Sequence, residues 1–486
     1  MIFNSLFFLF FFGVFFVLYW FIFQNNLKAQ NILLLIASYV FYAWSDWYFL
    51  YYLIGISVLN FFLGIYIEKT SNSKYKQWLL YIGLIQGVGG LAFFKYYNFF
   101  IDSFKAAFHS IGINFDLQTL NIIIPLGISF FTFRTISYLL DIHKGKIQAS
   151  RDWVVFFNYV SFFPSLVSGP IDKAKKLIPQ LENKRIFKSV AAADGMRQIL
   201  WGLFKKVVIA DNCAKFTNQI FEGYQSASSF TLILGAFFYA IQLYADFSGY
   251  SDMAIGIARL MGFEITRNFE FPFFSQNIAE FWRKWHMSLT NWLTEYVFTP
   301  LSISFRNLGK LGLIFAIVIN FTICGIWHGA NWTYVLFGFL HGCYFIPLII
   351  SGTMNKKKKM NSNKFFPSFK EFINIAMTFL LVMFTFIIFR AQNIETAYRY
   401  IFRLFSKIFQ SPGEIFLYTF WKQYIILFIL IIFFLLLEWI GKTNQYAIAK
   451  FIDKWHKSVR WSFYYVLIIS VFYFAQKGHQ FIYFQF

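Results

Sequence analysis

Residues 311–350 read LGLIFAIVINFTICGIWHGANWTYVLFGFLHGCYFIPLII, without a single Asp, Glu, Lys or Arg. Two apolar runs, 311–327 and 332–350, flank the turn His328-Gly329-Ala330-Asn331. An α-helix rises about 1.5 Å per residue, so about 20 apolar residues cross a hydrocarbon layer about 30 Å thick. The stretch therefore predicts a transmembrane helical hairpin with a histidine at its apex. An imidazole is expensive to hold between such spans unless it has partners or a task.

The same pattern extends in both directions. Hydrophobic residues make up 58% of the 486-residue chain and charged residues 13%, against about a quarter charged in ordinary soluble domains. Further apolar runs lie at 6–23, 32–43, 47–67, 78–100, 122–140, 153–167, 190–210, 230–244, 372–389, 424–439 and 461–474. They predict an all-α polytopic membrane protein of roughly ten to twelve crossings. A single membrane domain is expected over 1–486, with N-terminal helices in 1–120, a functional core in 121–350 and C-terminal helices in 351–486. The run at 6–23 is too long for a signal-peptide core, lacks a basic leader, and reads as a retained first span. Lys205 and Lys206 interrupt the run at 190–210, which suggests an interfacial segment.

Charge supports the same class. The formal net charge is +21, concentrated between apolar runs at Lys69, Lys74 and Lys76, at 143–151, at 173–188 and at 356–359. The positive-inside rule places these loops in the cytoplasm, the N-terminus outside, and the apex of the 311–350 hairpin toward the outer face. No aromatic-basic pattern of an RNA-binding fold accompanies the charge, so nucleic acid is not an expected partner. Cys213, Cys324 and Cys343 lack CxxC spacing, so neither a disulfide framework nor a metal site is expected. No repeat of fixed period suggests an inverted-repeat transporter. Pro164, Pro170, Gly249, Gly262 and Pro272 break the hydropathy pattern between 162 and 292, and irregular backbone at membrane depth lines a cavity or is buried in protein.

Three segments can carry chemistry. In Trp327-His328-Gly329-Ala330-Asn331-Trp332, neutral imidazole can take a proton from a hydroxyl near neutral pH. Gly329 and Ala330 permit close backbone approach, and Asn331 with the indole N–H groups of Trp327 and Trp332 can orient the ring or an acyl oxygen. The bland alternative is a histidine satisfied by a carbonyl at a helix junction. Further along, His341 reads as a packing histidine. In the second segment, 280–296, Trp282, Trp285, His286, Leu289, Trp292 and Tyr296 recur at helical spacing, with Arg283 and Lys284 on other faces. That pattern predicts an amphipathic helix at an interface or cavity mouth, on which His286 either guides a donor or is structural. In the third, Tyr244–Ala254, Asp246 can fix a histidine tautomer or pair with Arg283 or Lys284, and Asp252 can cap a helix starting at Met253. Neither a P-loop nor an HExxH or GxSxG motif occurs.

Together these residues resemble the membrane-bound O-acyltransferase (MBOAT) family. The likeness is to its bacterial branch, which serves alginate and peptidoglycan O-acetylation and teichoic acid D-alanylation. The matching stretches are 125–133, Phe162-Phe163-Pro164, Ser168-Gly169-Pro170-Ile171, 244–256, 281–289, 325–332 and the terminal 481–486. The resemblance implies a ring of transmembrane helices around a central tunnel, with interfacial and re-entrant helices, in a bacterial cytoplasmic (inner) membrane. It implies that His328 is the family's near-invariant histidine on the acceptor side and His286 its second motif histidine on the donor side. Asp246, Trp327, Asn331, Trp332, Trp282, Arg283 and Trp285 would then support or line the substrate tunnel. It further implies no bound cofactor, acetyl-CoA or another acyl thioester as donor, an extracytoplasmic polysaccharide acceptor, and a partner with an SGNH-type domain. D-alanyl transfer and a non-enzymatic polysaccharide or lipid transporter are the alternatives. The chain departs from the family pattern after Trp292, where Leu293-Thr294-Glu295-Tyr296 and residues 302–307 replace an Arg-Asp-Tyr and a Gly-Gly-Asn-Arg element.

Overall fold

The computed structural model describes residues 1–45, 47–115, 117–356, 365–406, 414–450, 455–475 and 481. Residues 357–359 of the fourth basic loop and 482–486 of the terminal motif lie outside them. Among the described residues the regular structure is helical and no strand occurs. Among the described residues six helices are long and apolar enough to cross a membrane: Tyr48–Lys69, Ser73–His109, Ser229–Leu260, Arg306–His328, Trp332–Ile350 and Phe369–Arg390. Shorter apolar helices occupy Leu6–Ile22, Leu27–Ala43 and Tyr424–Ile440. The outward faces are greasy, with Phe10, Phe21, Phe372 and Ile429 all exposed, as helices bathed in lipid require. The chain is an all-α, multi-pass membrane protein.

It divides into two compact units, Met1–Met196 with Ala254–Thr266, and Arg197–Met253 with Arg267–Phe486. In the first, two apolar runs of the sequence are not simple spans. The run at 153–167 forms the short helices Trp153–Ser161 and Phe163–Leu166, bent apart at Phe162 ahead of Pro164. A break of this kind frees backbone carbonyls that lipid cannot satisfy. Arg134, buried in the Ile128–His143 helix, supplies the donors, its guanidinium reaching Val160 O at 3.1 Å and Ser165 O at 2.9 Å.

In the second unit, the segment holding Lys205 and Lys206 is not interfacial. The Ser189–Leu203 helix runs through a π-helical turn, Phe204–Ala210, into Asp211–Glu222, and every residue of that turn is buried. Hydropathy misread the two lysines because two of their three compensating carboxylates come from the distant Ser229–Leu260 helix. Lys205 Nζ meets Asp252 at 2.5 Å, and Lys206 Nζ meets Asp246 at 2.6 Å and Asp211 at 2.9 Å. The contact needs backbones in close approach: a Cβ on Gly249 would sit 2.8 Å from Gly202 O. Glycine at both positions lets the helices approach closely enough for the short carboxylate arms to reach the ammonium groups.

Candidate active site

The 311–350 hairpin forms as expected, with helices Gly309–His328 and Trp332–Tyr344. Its arms touch through backbone. A Cβ on Gly325 would fall 3.0 Å from Gly338 Cα, and one on Gly338 would fall 2.9 Å from Gly325 N, so neither position has room for a side chain. At the open end Lys310 Nζ donates to Ile350 O at 2.7 Å, which ties the two arms where the hairpin begins. About 30 Å of helix separates that tie from the apex.

His328 is the last residue of the first arm and is 4% exposed. Aromatic rings surround its imidazole edge-on: Trp327 at 5.0 Å, Phe389 at 5.1 Å and Phe337 at 6.0 Å between centroids. Asn331 does not serve this ring directly. Its Oδ1 accepts from Thr333 N at 3.0 Å as the N-cap of the second arm, and its Nδ2 donates to Gln392 O at 2.6 Å. The side chain thus locks the apex to the turn that follows Arg390, a fixed support for the histidine. Trp332 is 55% exposed, unlike the enclosed His328 beside it in the apex. Its indole face suits the membrane–water boundary.

His286 lies behind the same indole. Its ring is 5.6 Å from that of Trp327 and meets the Phe247 ring edge-on at 4.6 Å. Trp327 is therefore in contact with two imidazoles. The expected continuous amphipathic helix over 280–296 is broken at this point, into Ile278–Lys284 and Met287–Leu293. His286 itself takes left-handed backbone angles, φ 43°, uncommon for a non-glycine residue and of order 1–3 kcal/mol in cost. Asn268 holds the kink: its carbonyl accepts from Met287 N at 2.8 Å and its Nδ2 donates to Ser251 Oγ at 3.1 Å. The kink turns a side chain that helical spacing would spread along one face into the interior, where it is 0% exposed. Burial pulls the imidazole pKa down to about 3, so the ring is neutral at physiological pH.

The remaining expected site residues separate into walls, supports and bystanders. Trp285 is an interior wall, stacked on Phe281 at 5.3 Å and packed against Phe386 at 5.5 Å. Trp282 Nε1 donates to His341 Nδ1 at 3.1 Å, and His341 Nε2 lies 2.9 Å from Thr385 Oγ1. Because the Thr385 hydroxyl donates to Val382 O, it accepts from Nε2–H, and His341 is a fully bonded neutral bridge between three helices. That is the packing role its sequence context suggested. Arg283 is exposed and donates to Met354 O at 3.3 Å, outside any enclosed site. Asp246 pairs with Lys206 rather than with Arg283 or Lys284, while Lys284 pairs with Glu280 at 2.7 Å. Asp252 lies inside the unbroken Ser229–Leu260 helix and caps nothing; it accepts from Gln198 Nε2 at 2.7 Å and pairs with Lys205.

Sequence reading missed one member of this polar layer, Glu438, whose Oε2 accepts from the buried Tyr244 hydroxyl at 2.5 Å. A lone carboxylate inside the apolar run 424–439 was the available signal. Phe247 directly follows Asp246 on the Ser229–Leu260 helix, so one helix turn presents a ring to His286 and a carboxylate to Lys206. The ionic layer fixes the helix that packs the histidine. Among the described residues no group of His, Cys, Asp and Glu is arranged to hold a metal ion.

Residues 150–389 match the model of the membrane-bound O-acyltransferase family. The chain is 37% identical over 409 residues to the probable alginate O-acetylase AlgI of Pseudomonas syringae pv. tomato, covering 84% of this chain and 75% of that protein. It is 33% identical to the peptidoglycan O-acetyltransferase of Helicobacter pylori, covering 77% of this chain and 73% of that one. With the teichoic acid D-alanyltransferase of Streptococcus thermophilus it shares 30% identity over 54% of its own length and 68% of the other's. The matched family region contains both histidines that contact Trp327, the glycine-tight hairpin and the buried ionic layer. Identity at this level over most of both chains has one explanation: the chain belongs to the membrane-bound O-acyltransferase family and is an acyltransferase.

Proposed function

We propose that the protein is an O-acetyltransferase of the bacterial inner membrane, moving an acetyl group from a cytoplasmic thioester, acetyl-CoA by preference, to a hydroxyl on the outer side. The observation that carries this reading is His328, an enclosed imidazole at the apex of a transmembrane hairpin whose neighbouring Trp327 indole also contacts His286. In the reaction, His328 accepts the proton of the acceptor hydroxyl as its oxygen attacks the thioester carbonyl carbon. The tetrahedral intermediate collapses with cleavage of the C–S bond, and the departing thiolate takes a proton to become the free thiol. The aromatic walls of Phe337, Phe389, Trp327 and Trp285 exclude water, which limits hydrolysis of the thioester. Neutral His286, fixed by its kink, positions the acyl donor and does not exchange a proton.

The acceptor is a cell-envelope or secreted polysaccharide, reached through an SGNH-type partner protein. Acetyl is favoured over D-alanyl because the likeness to the two acetylating relatives extends over more of the chain than that to the D-alanyltransferase. The test replaces His328 with Gln or Ala and measures both protein level in membranes and O-acetyl content of envelope glycan. Loss of a general base lowers such a rate by about 10²–10⁴-fold, so acetylation falls to background at an unchanged protein level. Retained acetylation rejects the proposal.

A further inference from the structure

The first unit contains a cavity that the acyl-transfer reading does not use. Its volume is about 470 Å³, within the range of small-molecule sites. Four cations line it, Lys184, Arg185, Lys188 and Arg259, against two carboxylates, Asp194 and Glu264. Arg259 is ion-paired with Asp194. Lys184, Lys188 and Glu264 are exposed.

Arg185 is the informative member, because it is 5% exposed and each of its partners is neutral. Its Nη2 donates to Gln30 Oε1 at 3.2 Å and Asn31 Oδ1 at 2.7 Å, and its Nη1 donates to Gln180 O at 3.4 Å. The Tyr19 and Phe263 rings lie 5.5 Å and 5.0 Å from the guanidinium carbon. The two amides are aimed deliberately: Gln30 Nε2 donates to Tyr19 O at 3.0 Å and Asn31 Nδ2 to Leu181 O at 2.9 Å, which turns both amide oxygens to the guanidinium. Such a cage orients a buried cation without neutralising it. Burying a charge unpaired is costly, and the cost is offset when an anion occupies the adjoining space.

The rim identifies the kind of anion. Ile186, Phe187 and Val190 are 69%, 48% and 82% exposed, and Phe187 packs on Trp20, a cavity-lining indole, at 5.4 Å. Apolar pegs interleaved with lysines are the composition of a segment seated in the headgroup region of a bilayer. We propose that this cavity binds the phosphate headgroup of an anionic phospholipid, with Lys184 and Lys188 contacting the phosphate, Arg185 supplying the buried positive field, and the acyl chains lying along Ile186 and Phe187. The inference is independent of the reaction proposed for His328.

The test uses the full-length protein purified in neutral detergent and titrated with dioctanoyl phosphatidylglycerol, dioctanoyl phosphatidylcholine or inorganic phosphate. Adducts are counted by native mass spectrometry and the melting midpoint is followed in parallel. The glycerol lipid forms a discrete one-to-one adduct and raises the midpoint, and in the Lys184→Gln/Lys188→Gln double variant its affinity falls at least about tenfold. Both lysines are exposed, so the lipid-free midpoint of the variant stays at the parent value and reports intact folding. Equal binding of the choline lipid, or unchanged binding by the double variant, overturns the proposal. An equal response to inorganic phosphate alone overturns the assignment to lipid.

Discussion

Replacing Lys206 with Met removes one ammonium group and strands two carboxylates. Lys206 is 2% exposed at its side chain, Asp246 is 4% and Asp211 is 14%, with N–O separations of 2.6 Å and 2.9 Å. Breaking a buried pair by deleting one partner costs about 3–5 kcal/mol, because the surviving charge keeps its desolvation penalty and loses its compensation. At about 2 °C per kcal/mol for a large domain, the melting midpoint in detergent drops by about 6–10 °C. Methionine fills most of the lysine volume, so the loss reports charge and not a cavity. Adding Asp246→Asn to the variant removes one stranded carboxylate and recovers part of the deficit, although Asp211 remains uncompensated. The assay is thermal denaturation followed by fluorescence-detected size exclusion for the parent, both single variants and the double variant. An unchanged midpoint in Lys206→Met, or strictly additive losses in the double variant, would refute the view that this ionic layer braces the helix packed against His286.

The hairpin yields a second prediction: Gly338→Val places bulk where a Cβ already sits 2.9 Å from Gly325 N, so the arms separate and the protein is depleted from membranes, read by immunoblot. Asn331→Ala deletes the N-cap and the tie to Gln392, costing about 1 kcal/mol of stability, seen as a small midpoint loss with a larger loss of acetylation because the apex loosens. His341→Gln disrupts the Trp282–His341–Thr385 bridge and lowers stability by about 1–3 kcal/mol. Under the proposed reaction, that variant's residual activity scales with folded protein, whereas that of His328→Gln does not. Acetyl content normalised to folded protein distinguishes the two.

The fold class was legible because membrane burial writes itself into composition: runs such as 311–327 and 372–389 have no soluble alternative. The hairpin and its apex followed from two such runs around a polar turn. What could not be read was which polar residue meets which. Lys205 and Lys206 look interfacial in one dimension because Asp246 and Asp252 arrive from about 40 residues away, and only the Gly202–Gly249 backbone contact makes the meeting possible. His286 was placed on a helical face because spacing assumes an unbroken helix, whereas the left-handed turn is held by Met287 N and Ser288 N donating to Asn268, 18 residues back in the chain. Arg283 and Trp332 adjoin buried candidate residues in sequence yet are exposed, since neighbours in a helix point in different directions.

Under the proposed reaction one of the two histidines in contact with the Trp327 indole takes the proton, and their surroundings differ. His286 is wholly buried, and burial pulls its pKa down to about 3, so collecting a proton there demands several kcal/mol. Its left-handed backbone and its clamp between Phe247 and Trp327 are the properties of a fixed surface, suited to hold a donor in one orientation. Under the proposed reaction His328, the last residue of a helix of 20 residues at the hairpin apex, is the group that takes the proton. The asymmetry separates two variants that a simple count of histidines would treat alike. Under the proposed reaction, His286→Gln, which keeps a neutral polar group of similar reach, raises the apparent KM for the thioester and leaves a measurable kcat. His328→Gln abolishes kcat while leaving thioester binding intact. Reconstituted protein assayed over a range of donor concentrations gives both constants, and the reverse pattern, with kcat surviving in His328→Gln, would transfer the base assignment to His286.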